Sequence, residues 1–311
     1  MQYLKSLSEQ SLAKLCAVYA GLVFGIYWIP LRALDSAGFS GVWAVFIFHL
    51  ISAIAIAPVW LFGWKRFTQN GLRFHFVCFG TGFGYVLYTS AFVYTSVVSV
   101  IVLFYMMPIW GFLLARIFIG EKITVIRWLS MLLGIGGLWV IFGQDSGIPI
   151  PQNIGDWMAL SAGLLWAGLA LMLLTDDDER PLDYAAGFVT WASICAWVFA
   201  LLATNTGYEP APHWYILKSH LVWLIPFTII IIVPAAIATI YSPTKLNPGT
   251  VGLLFMTEIS VAAITAAIWA GEPFGRPQLI GVVLVTLAGA LEPVSSLFKS
   301  SAVNKQIKLN G

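Results

Sequence analysis

One carboxyl group stands out. Glu258 lies about nine residues inside the apolar run 249–270. Holding a charge at the centre of a bilayer costs roughly 2.5–3.5 kcal/mol on insertion-based scales. A carboxyl kept there can bind and release a proton as a cavity opens to alternate sides. It can also meet a solute's ammonium group, or tie helices together as a hydrogen-bonding group. His49, midway along another apolar run, is a second candidate for proton transfer because its ordinary pKa is near 6.5. A packing histidine, satisfied by a neighbour, is the alternative.

The aromatic residues are the second signal. Phe24, Tyr27, Trp28, Tyr85, Tyr88, Tyr105, Trp110 and Trp166 all fall well inside apolar runs. Tryptophan and tyrosine normally collect at membrane interfaces. Placed deep, their N–H and O–H groups need partners, which a wet cavity supplies. Tyr85 and Tyr88 are three residues apart and share a helix face. Such a lining suits a flat or apolar body and a cation. Packing between helices, or against lipid, is the competing account of each ring.

Other chemistries lack their residues. The sequence holds no HExxH, no GxSxG and no pair of carboxylates inside the apolar runs, which argues against an intramembrane enzyme. No Walker motif is present, so ATP is not the energy source. Cys16, Cys78 and Cys195 fall in three separate runs without metal-ligand spacing and read as packing residues. The acidic run Asp176–Glu179 lacks a nearby His or Cys and reads as a solvated loop, not a metal site. Gly80, Gly82 and Gly84 are not followed by Lys-Ser/Thr and suit close helix packing. Pro30, Pro108, Pro226 and Pro234 are expected to kink their helices and free carbonyls toward a cavity. No metal, cofactor or nucleic-acid partner is expected.

The elements that carry these residues follow from composition. Of 311 residues, 59% are hydrophobic and 10% charged, against about 25% charged in soluble domains. Lipid must therefore be the main solvent. A spanning helix needs about 20 apolar residues, and ten runs qualify: 12–33, 41–63, 74–95, 96–115, 128–142, 156–174, 184–203, 221–241, 249–270 and 277–291. They are continuous and do not alternate as barrel strands do. The expected fold is an all-α membrane protein of ten transmembrane helices. The first run lacks a small-residue cleavage site after it and reads as a retained helix, not a signal peptide. With both termini cytoplasmic, Lys and Arg divide 13 inside to 3 outside, as the positive-inside rule requires. A multi-pass protein of the inner (plasma) membrane is expected.

The chain also repeats itself. Leu103-Phe104 and Gly120-Glu121 recur as Leu254-Phe255 and Gly271-Glu272, at an offset of 151. Arg127 and Gln278 each stand six residues beyond the Glu, before a glycine-rich helix. Ala20-Gly21-Leu22 recurs as Ala162-Gly163-Leu164. The expected halves are 1–150 and 151–311, each of five helices. Five is odd, so the halves are expected to be inverted, a device that lets one packing arrangement open to either side.

Two five-helix halves with a Gly-Glu corner after the fourth and ninth runs resemble the drug/metabolite transporter superfamily, of the EamA type. Pro108, twelve residues before Gly120, matches the family's fourth-span proline, and the ninth-span Glu-Pro is Glu258-Ile259 here. The amino-acid exporter branch is the most similar. Its fourth-span Tyr-x-Trp-Pro is Tyr105-Met106-Met107-Pro108, with Met107 in place of Trp; Trp166 and Tyr85 match its sixth-span Trp and third-span Tyr, and Phe24 replaces a first-span Trp. The resemblance implies a secondary transporter exporting amino acids or related metabolites by alternating access, not an enzyme. The residue reading and the resemblance together put Phe24, Trp28, Tyr85, Tyr88, Tyr105, Met107, Trp166 and Glu258 at the solute, and the residue reading makes Glu258 and His49 the proton-coupling candidates. An uncoupled facilitator is the alternative, an intramembrane enzyme a remoter one. Residue types leave solute identity, direction and monomer or homodimer open.

Overall fold

A computed structural model describes residues 2–95, 97–142, 151–176, 180–270 and 275–291. Backbone groups in lipid must be satisfied within the chain, and a helix does this locally. The elements are α1 (Gln2–Ser36), α2 (Gly41–Phe62), α3 (Trp64–Gln69), α4 (Leu72–Tyr94), α5 (Val97–Phe104), α6 (Met107–Ile119), α7 (Val125–Phe142), α8 (Ile154–Leu174) and α9 (Pro181–Asn205). Then follow α10 (Trp214–Phe227), α11 (Val233–Tyr241), α12 (Pro248–Phe255), α13 (Thr257–Thr265) and α14 (Arg276–Leu291). No strand occurs among the described residues.

Among the described residues, seven helical segments are long and apolar enough to cross a membrane: Glu9–Leu34, Gly41–Phe62, Val100–Ile119, Ile154–Leu174, Pro181–Asn205, Trp214–Thr244 and Pro248–Trp269. Val125–Val140 and Arg276–Leu291 are shorter apolar helices. The 23 residues of α4 are long enough but include Arg73, His75 and several glycines and hydroxyls.

Each of the ten expected runs falls on helix, with differences at the ends and in the middle. The eighth run starts seven residues earlier than expected and passes through a π-helical turn, Thr228–Ile232, that joins α10 to α11. This turn lies between Pro226 and Pro234, each of which lacks the N–H that a regular α-helical ladder needs. The short helix α3 was not expected; six residues are too few to show a period. Gly271 and Glu272, Asp177, Asp178 and Glu179, the stretch 143–150 and the tail with Lys299, Lys305 and Lys308 lie outside the described residues.

The fourth and ninth runs are each broken. The fourth divides at Tyr105-Met106 and the ninth at Met256, which lies 151 residues beyond Tyr105, the offset found in the sequence. Pro108 explains the first break. It has no N–H for the Phe104 carbonyl four residues back. No proline explains the second. There the Ile259 amide turns to Met256 O at 3.0 Å, the Thr257 hydroxyl takes Leu254 O at 2.9 Å, and Phe255 O faces the Tyr105 hydroxyl at 3.0 Å. Side chains here replace the ladder that the helix gives up.

The breaks are supported from across the chain. α1 packs against α12 and α13, and α8 against α4, α5 and α6. A Cβ added at Gly21 would lie 3.1 Å from Phe255 O, and one at Gly25 would lie 2.7 Å from Glu258 O. A Cβ at Gly163 would lie 2.5 Å from Phe104 O. The repeated Ala-Gly-Leu thus sets each glycine against the interrupted helix of the other half. The middle glycine of the 80–84 series does similar packing work, because a Cβ at Gly82 would lie 2.6 Å from the Ala192 amide nitrogen of α9.

Candidate functional site

Glu258 is the second residue of α13, immediately after the break. Its side chain is buried. Two tyrosines from the other half reach it. Tyr88 on α4 donates its hydroxyl to Oε1 at 2.8 Å. The Tyr105 hydroxyl, at the break between α5 and α6, lies 2.5 Å from Oε2 and 3.0 Å from Phe255 O. A phenol carries one proton, so Tyr105 has two acceptors for one donor. The neighbours that hold the carboxyl are thus phenols from the fourth-span break and from α4. Tyr88 is fixed in turn by Phe104, whose ring centroid is 4.0 Å away.

A second group of expected residues gathers one layer away. Tyr85 packs on Phe24 at 5.6 Å and on His49 at 5.2 Å. His49 gives its Nδ1 proton to Val45 O at 2.7 Å, because a carbonyl can only accept. These three residues line a cavity of about 20 Å³ with Tyr27, Ser52 and Phe188. That volume holds about one water and no organic solute.

The remaining expected residues stand at the edges. Met107, fully buried, opens α6 beside the first break. Trp166 is buried between Phe188, at 6.2 Å, and Phe255, at 6.3 Å, and its Nε1 has no partner among the described residues. Trp28 is turned elsewhere. Its Nε1 donates to Thr265 Oγ1 at 3.1 Å, at the far end of α13, and Arg32 lies over its ring at 5.8 Å. Trp28 thus joins neither the cavity nor the Glu258 cluster.

Phe188 was not foreseen. It touches Tyr85 at 5.6 Å and Trp166, and so connects the cavity to the ring beside Phe255. One phenylalanine in an apolar helix of a chain with 21 of them carries no distinguishing signal. Ser52 gives its hydroxyl to Phe48 O at 2.8 Å, an internal helical bond that leaves little sign of function.

Fold and site together define a multi-pass helical membrane protein with a buried carboxyl at a helix break. Residues 11–143 match the model of the EamA-like transporter family. This match is a likeness to a family of transporters and lies within the first half of the chain. A solved crystal structure, described only as that of a protein, superposes with a TM-score of 0.71 at 15% identity, over 91% of this chain and 97% of its own. At that identity the likeness is one of fold. No curated protein matches the chain.

Proposed function

We propose that this protein is a secondary transporter that exports amino acids or related metabolites across the inner membrane by alternating access. In this reading ten helices cross the bilayer as two inverted halves, 1–150 and 151–311, with both termini cytoplasmic. The matching breaks of the fourth and ninth runs support the repeat.

The sorting of loop contacts supports the threading. One end of the molecule gathers Arg66 with Asp183 at 3.3 Å, Arg180 with Asn70 at 2.8 Å, Lys245 with Glu9 at 3.7 Å, and Asn247 with Glu121. All of these stand in the connections, or at the helix ends beside them, that the threading assigns to the cytoplasm. The other end pairs Ser40 with Glu209, Trp43 Nε1 with Thr204 Oγ1 at 3.0 Å, and Thr95 with Asp156 at 2.7 Å. All of these stand in the connections, or at the helix ends beside them, that the threading assigns to the opposite side.

The observation that carries the coupling role is the buried carboxyl of Glu258 between two phenols at a helix break. When ionised, Glu258 accepts the Tyr105 O–H hydrogen bond, and Phe255 O is left without that donor. When protonated, Glu258 donates to the Tyr105 oxygen, and Tyr105 turns its own proton to Phe255 O. Proton uptake therefore changes which carbonyl at the ninth-run break is satisfied. Phe24, Tyr85, Met107 and Trp166 would line the path as the halves open, and His49 is a further proton carrier beside Tyr85.

An uncoupled facilitator is the second reading. It is favoured by the separation of the His49 cavity from Glu258, whose oxygens are both engaged by tyrosines. Solute flux in proteoliposomes, with and without a pH gradient, decides between them. The Glu258→Gln variant should lose at least tenfold in gradient-driven accumulation while solute still equilibrates. Undiminished accumulation would rule out coupling through Glu258 and leave the facilitator.

A further inference from the structure

We propose that the cavity beside His49 is a binding site for one water molecule, and that this water is the route by which protons reach and leave His49. The inference rests on the transport reading and deepens it, by giving the His49 proton carrier a ligand and a path.

The groups around the cavity balance as a water requires. A buried water needs a space of about 10–15 Å³ and two to four polar partners. This cavity offers about 20 Å³, and its polar lining is Tyr27, His49, Ser52 and Tyr85. His49 donates from Nδ1 to Val45 O, so Nε2 of the neutral ring holds a lone pair and can only accept. The Ser52 proton is engaged by Phe48 O, so its oxygen is likewise left to accept. The hydroxyls of Tyr27 and Tyr85 make no hydrogen bond among the described residues and have protons to give. Two acceptors and two donors match the two protons and two lone pairs of a single water. No carboxylate lines the cavity to hold a cation, and a halide would face the lone pair on Nε2.

The same geometry makes His49 a store for a proton and not a wire. The proton on Nδ1 faces a backbone carbonyl, which accepts a hydrogen bond but passes no proton onward. Exchange must therefore run through Nε2 and the cavity. A proton arriving from bulk water, on whichever side the halves open, adds to the oxygen of the bound water. The O–H aimed at His49 then breaks and an N–H forms at Nε2, leaving an imidazolium and a neutral water. Release retraces the step. The titratable groups that face His49 across the cavity are the phenols of Tyr27 from α1 and Tyr85 from α4. The ninth helix α9 and the eighth run present only Phe188, Val189, Ile232 and Ala236. The rings hold the phenols in place, Tyr85 at 5.2 Å from His49 and Tyr27 edge-on to Phe48 at 5.1 Å.

The ring nitrogens can be read directly. Full-length protein with isotope-labelled histidine would be reconstituted in liposomes and examined by NMR. One histidine, missing from the His49→Gln spectrum, should carry its proton on Nδ1 and show a through-space signal from water at Nε2. Tyr27→Phe, which keeps the ring and removes one donor, should weaken that signal at least twofold. It should also lower gradient-driven accumulation of phenylalanine in proteoliposomes at least threefold, with a native melting profile. A proton on Nε2 at neutral charge, or no water signal there, would overturn the site. A water signal with accumulation unchanged in Tyr27→Phe would overturn the proton route. If the wild-type protein accumulates no phenylalanine under a pH gradient, the transport reading fails for this solute and the proton route with it. The His49 resonances then still decide whether the water is there.

Discussion

Tyr105 and Tyr88 make unequal contributions to the same carboxyl. Tyr105 reaches both Glu258 and the Phe255 carbonyl, whereas Tyr88 reaches Glu258 alone. A buried acceptor left unsatisfied costs about 1–3 kcal/mol. Tyr105→Phe should therefore destabilise the protein by about 2 kcal/mol or more, and Tyr88→Phe by less, as read from thermal unfolding in one detergent. Equal losses would mean that the Phe255 contact contributes nothing. Glu258 could be found in the sequence because a carboxyl inside an apolar run is costly and rare. Its partners could not be singled out, since the chain has 11 tyrosines and hydrogen bonding across 170 residues leaves no local mark. Trp28 illustrates the converse. Its depth in a run suggested the solute path, but an indole satisfied by Thr265 serves helix packing equally well.

Among the helices, the interruptions were only partly legible. Pro108 announces the break after α5 because the missing N–H is visible in the residue type. The break at Met256 has no such residue and arises from contacts made by Thr257 and Tyr105, so only the repeat offset locates it. Small residues at the crossings are the complementary feature. Adding a Cβ at Gly25 would place it 2.6 Å from Val261 Cβ as well as against Glu258 O, and at Gly163 against Phe104 O, where backbone cannot give way cheaply. Overpacking of this kind costs about 1–3 kcal/mol. Gly25→Ala and Gly163→Ala should each lower the melting temperature and the flux. Gly136→Ala, with nothing within 4 Å of the new atom, should be neutral or slightly stabilising. A neutral Gly25→Ala would show that α1 does not press on the Glu258 turn.

For the whole molecule, the apolar runs dictated an all-helical membrane protein because lipid leaves the backbone few alternatives. The exposure of Phe62, Leu72, Ile117 and Tyr215 agrees with a lipid-facing surface. Which loops share an end is a testable matter of topology. In a chain with Cys16, Cys78 and Cys195 replaced by alanine, a cysteine at Lys65 should react with an impermeant maleimide only from the cytoplasmic side. A cysteine at Tyr208, 76% exposed, should react only from the other. Labelling of both from one side would rule out the ten-span threading. The small size of the cavity beside His49 could not be read from sequence, because volume depends on how five helices meet and not on any one of them.

The seat of α1 against Phe255 and Glu258 has a consequence for biosynthesis. Helix α1 docks on residues made more than 230 positions after its own glycines. At about 5–20 residues per second, translation needs on the order of tens of seconds to deliver that surface. Throughout this interval the nascent α1 must wait in the bilayer, its glycines open to lipid or to insertion factors, and the packed arrangement closes only once α12 and α13 have been made.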